Sequence, residues 1–153
     1  MLANDKELGI SKQWLPLSQS LANIGNMRII RGIKPEFVDE RGGITRVLDD
    51  EKFPVHSVLY ITSKAGTIRS NHYHKTDAHY CYLLSGAVEY YEKPVDGGAI
   101  GHATLAAGDM AFSDSMIIHA FRFTEDSVLI AFARKPRNQE DYEKDTVRVE
   151  LIT

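Results

Sequence analysis

The chain has 153 residues, 43% hydrophobic and 25% charged, proportions that suit one globular domain and argue against disorder or a membrane protein. Eighteen basic residues against 21 acidic ones give a net charge of −3 with no basic stripe, so nucleic acid is not an expected partner. No apolar run approaches the roughly 20 residues that span a bilayer, and a lone cysteine, Cys81, behind an N-terminus without a signal-peptide core makes the cytoplasm the expected compartment.

Residues 1–26 are mixed in character, with Trp14, Leu15 and Leu17 as their clustered apolar groups. They read as an N-terminal arm that packs on the body or across a two-fold homodimer. A single domain over 27–153 follows, in which short β-rich runs alternate with turn signals: MRIIRGI, ITRVL, HSVLYITS, HYCYLLSGAVEYYEKP, AIGHATLAAGDMAFSD, HAFRFTEDSVLIAFARKP and TVRVELIT. The pattern predicts an antiparallel all-β sandwich or jelly roll, with one short C-terminal helix near NQEDYEK after Pro136. The acidic stretches DDE and EDYEKD read as solvated loop and helix face.

Three histidines, His72, His74 and His79, fall between Gly66 and Gly86. In an extended segment His72 and His74 share one face, so both imidazoles reach a common point. In HYCYLLSG, His79, Cys81 and Leu83 share one face and Tyr80, Tyr82 and Leu84 the other. Neutral imidazole nitrogen suits transition metals, and histidine is also an acid or base near neutral pH. A metal site, an acid/base site and a merely polar cavity lining all accommodate this pattern. His56 and His102 lie outside it and read as surface or core histidines.

The spacing of Gly66, His72, His74, His79 and Gly86 resembles the first motif of the cupin superfamily, with His79 where cupins usually carry glutamate. Gly108 and His119 stand in the register of the second motif, with Asp114 and Met116 in place of its proline and inner glycine. The resemblance implies a cupin double-stranded β-helix, or jelly roll. It also implies a divalent transition metal (zinc, iron, nickel or manganese) held by His72, His74, His79 and His119.

A closer resemblance lies inside the same residues. RSNHYHK, from Arg69 to Lys75, is similar to the Arg-Gly-x-His-x-His-Lys segment of nucleotide-linked 3,4-ketoisomerases, with Ser70 replacing the glycine. The segment FVDERGG matches the Phe-x-Asp-x-Arg-Gly of dTDP-4-dehydrorhamnose 3,5-epimerases through Phe37, Asp39, Arg41 and Gly42, and His119-Ala120-Phe121 is similar to their His-Gly-Phe. Those families work by enolisation, which requires a base to remove the proton beside a ketone. By position the resemblance makes His72 the base and Arg69 the group that steadies the enolate or a phosphate. Arg41 and Lys75 become substrate-binding cations. Among the strand tyrosines Tyr80, Tyr82, Tyr90 and Tyr91, Tyr82 is the candidate proton donor. The expected function is a metal-binding epimerase or isomerase of a nucleotide-linked keto-sugar. An iron-dependent cupin dioxygenase and a non-catalytic sugar- or metal-binding cupin are the alternatives.

Overall fold

The computed structural model describes residues 27–153 in full and, as backbone, 13–14 and 20–24. Two antiparallel sheets face each other. One has six strands in the order β2 (Ser20–Ile24), β3 (Met27–Arg31), β11 (Met110–Ser113), β8 (His79–Ser85), β13 (Ser127–Ala133) and β6 (Ser57–Ser63). The other has five: β10 (Gly101–Ala106), β9 (Ala87–Pro94), β12 (Ile117–Phe123), β7 (Ile68–His74) and β14 (Thr146–Arg148). A small third sheet joins β1 (Gln13–Trp14), β4 (Phe37–Asp39) and β5 (Gly42–Ile44). This is the expected all-β jelly roll.

Alternation sets the layers. In β13 the sequence SVLIAFA buries Leu129 and Ala131 against the opposite sheet, while Val128, Ile130 and Phe132 turn outward and stay half-buried. Met27, Ile29, Leu83, Val88, Tyr90, Leu105, Phe121 and Phe123 join them in the core between the sheets. Each large apolar side chain so buried contributes about 1.5–3 kcal/mol. A second cluster of Ile33, Phe53, Ala78, Tyr80, Tyr82 and Met110 covers the outer face of the six-stranded sheet. The turn from β8 to β9 depends on Gly86, whose φ is +90° and where an added Cβ would stand 2.1 Å from Ser127 Oγ.

Two pieces of the expected arm pair with the body: Gln13–Trp14 lies along Val38 and Phe37, and Ser20–Ile24 runs antiparallel to Met27–Arg31. Leu15, Leu17 and the side chain of Trp14, on which the dimer expectation rests, lie outside the described residues. The expected helix is α1 (Gln139–Asp145), whose N-cap Asn138 accepts a hydrogen bond from the Asp141 amide. Among the described residues no helix is long and apolar enough to cross a membrane. The chain returns from α1 into β14, which pairs with the histidine end of β7: Thr146 with His74, and Arg148 with His72. That pairing places the helix over the mouth of the jelly roll.

Candidate functional site

A bulge in β7 determines which side chains face the cavity. Arg69 pairs with Phe121, Ser70 with Ala120 and His72 with His119, so Asn71 is an extra residue on its strand. Ser70 and Asn71 both take left-handed backbone conformations, with φ of +69° and +50°. A regular strand would send Arg69 and His72 to opposite faces; the bulge turns both to the same cavity. Ser70 stands where the related motif has glycine, and its positive φ gives the physical reason for glycine there. Asn71 tolerates the conformation. Its side-chain oxygen accepts hydrogen bonds from the Leu151 and Ile152 amides, and its nitrogen donates to the Ile152 carbonyl.

His72, His74 and His119 each present one ring nitrogen, and the three atoms lie within 4.8 Å of one another, the one such group among the described residues. The ring centroids of His72 are 4.7 Å from His74 and 4.9 Å from His119. The outer nitrogens are held from behind. His119 Nδ1 donates to the Ile117 carbonyl at 3.0 Å, and His74 Nδ1 shares a hydrogen bond with Thr146 Oγ1 at 3.2 Å, with Asp145 Oδ2 at 3.6 Å. The carbonyl leaves His119 Nε2 with a free lone pair, and the carboxylate beside His74 Nδ1 favours the same tautomer there. Burial, helped by the neighbouring imidazoles, lowers the pKa of His72 to about 2, of His74 to about 4 and of His119 to about 3. All three rings are neutral at pH 7.

His74 Nε2 is fully buried and has no hydrogen-bond partner among the described residues. Leaving such an atom unsatisfied costs about 1–3 kcal/mol, and a cation would offset that cost. Three convergent neutral imidazoles with hydrogen-bonded outer nitrogens are a donor set that suits zinc, iron, nickel or manganese, so the residues fit a divalent transition metal.

His79 stands outside that group. Its ring lies 4.7 Å from His74, but its Nε2 donates to Asp77 Oδ2 at 3.0 Å. The expected four-histidine cluster is therefore three histidines and a neighbour committed to a carboxylate. Burial opposes the charge on Asp77, but hydrogen bonds from His79 and from the Ala78 and Lys135 amides outweigh it and hold the carboxyl below its ordinary value. The sequence reading missed Asp77; an acidic residue two positions before a site histidine was the available signal.

The histidine cavity has a volume of about 140 Å³. Arg69 and Ser70 form part of its wall, and Leu59, Ile61, Phe121, Phe123 and Leu129 line its apolar depth. Arg69 donates to Ser63 Oγ and, at 2.8 Å, to the Thr62 carbonyl. Cys81 also lines the cavity, and burial pushes its thiol up to about 12, so it is no nucleophile at neutral pH. The roof comes from the C-terminal segment. Arg137 lies 4.1 Å above the ring of Tyr142, which is itself 5.8 Å from His74 and 6.5 Å from His72. Neither residue stood out in the sequence, where Tyr142 fell in the EDYEKD stretch read as solvated helix face.

Three expected site residues lie elsewhere. Tyr82 belongs to the outer apolar cluster with Ile33, Phe53 and Met110, so the tyrosine at the histidine cavity is Tyr142 rather than Tyr82. The strand alternation that turns His79 and Cys81 inward turns Tyr82 out. Arg41 sits on the β4–β5 hairpin, with its side chain 79% exposed and its guanidinium on Asp39. Lys75 donates to the Lys144 carbonyl at 2.7 Å. Neither lines the histidine cavity. His56 bonds the Arg134 carbonyl and His102 stacks on Tyr91, both away from the site as expected.

Two facing antiparallel sheets with a histidine cluster at their mouth define a cupin jelly roll of the kind found in sugar-nucleotide epimerases and ketoisomerases. Among solved structures, the chain is similar to a dTDP-4-dehydrorhamnose 3,5-epimerase from Sulfolobus tokodaii, at 23% identity and a TM-score of 0.67 over 80% of this chain and 78% of that one. It is also similar to a 3,4-ketoisomerase from Helicobacter canadensis, at 20% identity and a TM-score of 0.66 over 80% and 90%. The QdtA 3,4-ketoisomerase from Thermoanaerobacterium thermosaccharolyticum, solved as a double mutant in complex with TDP, matches at 25% identity and a TM-score of 0.63 over 82% and 88%. No protein-family model and no curated protein matches the sequence.

Proposed function

We propose that this chain is an isomerase or epimerase of a nucleotide-linked keto-sugar, working by enolisation, with a divalent transition metal at His72, His74 and His119. The observation that carries the reading is the convergence, in one cavity, of three neutral imidazoles, a carboxylate-backed histidine and Arg69. The fold shared with 3,5-epimerases and 3,4-ketoisomerases, one of them holding TDP, supports the substrate class.

The geometry favours His79 as the base over the expected His72. A ring whose pKa is lowered to about 2 is a weak proton acceptor at neutral pH. His79 donates from Nε2 to Asp77, which fixes the tautomer and leaves the Nδ1 lone pair to take the proton from the carbon beside the ketone. The electron pair left on carbon moves to the carbonyl oxygen, and the Arg69 guanidinium on the same wall steadies that charge. The proton then returns at a new face or a new carbon. A metal bound at the three imidazoles supplies a Lewis acid for the keto oxygen. His72 then serves as a ligand, and Tyr142 closes the cavity against water.

Incubating the metal-loaded protein with 4-keto nucleotide sugars in deuterated water tests the reading: deuterium enters the carbon beside the ketone. Absence of exchange with every such sugar tested would refute it. The apolar lining of Leu59, Ile61, Phe121, Phe123 and Leu129 behind the imidazoles favours one second reading, an iron-dependent dioxygenase acting on an enolised diketone. Oxygen uptake by iron-loaded protein with such a substrate, in place of deuterium exchange, distinguishes it.

A further inference from the structure

We infer that a second cavity, which shares Arg137 and Tyr142 with the histidine cavity, receives the diphosphate of the substrate and holds it between Lys135 and Arg137. The inference rests on the keto-sugar reading and says where the anionic half of that substrate lies. This cavity has a volume of about 320 Å³ and is lined by Thr76, Asp77, Lys135, Arg137, Tyr142 and Asp145, among others. Arg137 and Tyr142 belong to the walls of both cavities. A sugar in the histidine cavity is joined to its phosphate through a single oxygen, so the anion must lie against a shared wall.

The distribution of free cations selects this wall. Arg41 is paired with Asp39, Lys64 with Asp126, and Lys75 with a carbonyl. Arg69 is engaged by Ser63 and Thr62, which weakens the claim of the larger groove that it shares with Lys64. Lys135 and Arg137, by contrast, are exposed and pair with no carboxylate among the described residues. The carboxylates on the same wall already have donors. Asp77 holds His79 and two amides; Asp145 holds Thr76 and the Asp77 amide; Asp141 holds the Asn138 side chain. Lys144 is bound to Glu140. What remains to meet a ligand is an ammonium and a guanidinium on one cavity, the guanidinium preset by its stack on Tyr142. Two phosphate groups match that pair, since charge-assisted hydrogen bonds to phosphate are the strong ones.

Calorimetric titration of the intact protein with inorganic pyrophosphate and with thymidine diphosphate tests the assignment. Both are expected to bind. Lys135→Ala and Arg137→Ala are each expected to weaken binding by about tenfold, and the double variant by about a hundredfold, with a melting temperature close to that of the unchanged protein because both side chains are exposed. Unchanged affinity in the double variant overturns the assignment, as does failure of the unchanged protein to bind either anion. Loss of binding on Arg41→Ala, with full binding in the double variant, would move the diphosphate to the β4–β5 hairpin and also overturn it. Deuterium exchange into a 4-keto sugar reports on the enolisation reading separately, so failure of the subsite is distinguishable from failure of the function.

Discussion

Lowering the pH on metal-free protein should destabilise it far more steeply than its net charge would suggest. His74, His119 and His72 have native pKa values of about 4, 3 and 2 against an ordinary value of 6.5, with burial as the largest cause in each. Because the native values are the lower ones, the unfolded chain takes up protons first. The penalty is absent above pH 6.5, grows as pH falls through that value, and levels off only near the native values. Each ring then costs about 1.4 kcal/mol per pH unit, which at pH 5 is about 2 kcal/mol each and about 6 kcal/mol for the three. That is comparable to the whole stability of many domains. Urea unfolding of chelator-treated protein at pH 7.5, 6 and 5 measures it, with unfolding expected to need little denaturant at pH 5. His119→Gln removes one titrating ring and should reduce the slope by about 1.4 kcal/mol per pH unit. A stability that stays level from pH 7.5 to 5 would refute the reasoning, because it would mean that the rings take up protons in the native state.

Ser70→Gly and Met116→Gly should each raise stability by up to about 1 kcal/mol, because both residues hold left-handed backbone at φ +69° and +61°; a lower melting temperature in both would count against it. Tyr82→Phe should leave turnover unchanged, since its ring packs in the outer cluster, and a tenfold loss would restore it to the site. His74→Ala should lose the metal while His79→Ala keeps it, as elemental analysis would record. Asp77→Asn should lower turnover by roughly two orders of magnitude with metal content intact, by releasing the His79 tautomer; equal turnover would remove His79 as the base.

The strands and the inward histidines were legible because period-two alternation and the spacing of His72 and His74 are local, and because His119 keeps the register of a second motif from Gly108. The two departures from the motif glycines were also informative once the backbone was known. Ser70 and Met116 keep the left-handed conformations that glycine would adopt, so the chain preserved the shape of the motif while changing its residues. Tyr82 misled because alternation assigns it a face without saying whether that face is solvent, cavity or a second packing layer. Ile33, Phe53 and Met110, remote in sequence, make it the last of these. Asp77 was overlooked although it lies two positions before His79, since the motif spacing concerns ligands and not the carboxylate that orients a histidine. Tyr142 and Arg137 were out of reach for another reason: they enter through the pairing of β14 with β7, a contact no local pattern encodes.

That pairing also sets the order in which the site comes into existence on a growing chain. Thr146, which holds His74, follows it by 72 residues, and the Leu151 and Ile152 amides that hold the Asn71 bulge come later still. During synthesis His72, His74 and His79 emerge early, and His119 follows. The β7 strand that carries His72 and His74 lacks its edge partner, its bulge support and its roof until residues 137–152 have followed. The nascent protein thus presents unorganised imidazoles, and any selection among divalent ions by the proposed metal site must wait until residues 137–152 have closed over them.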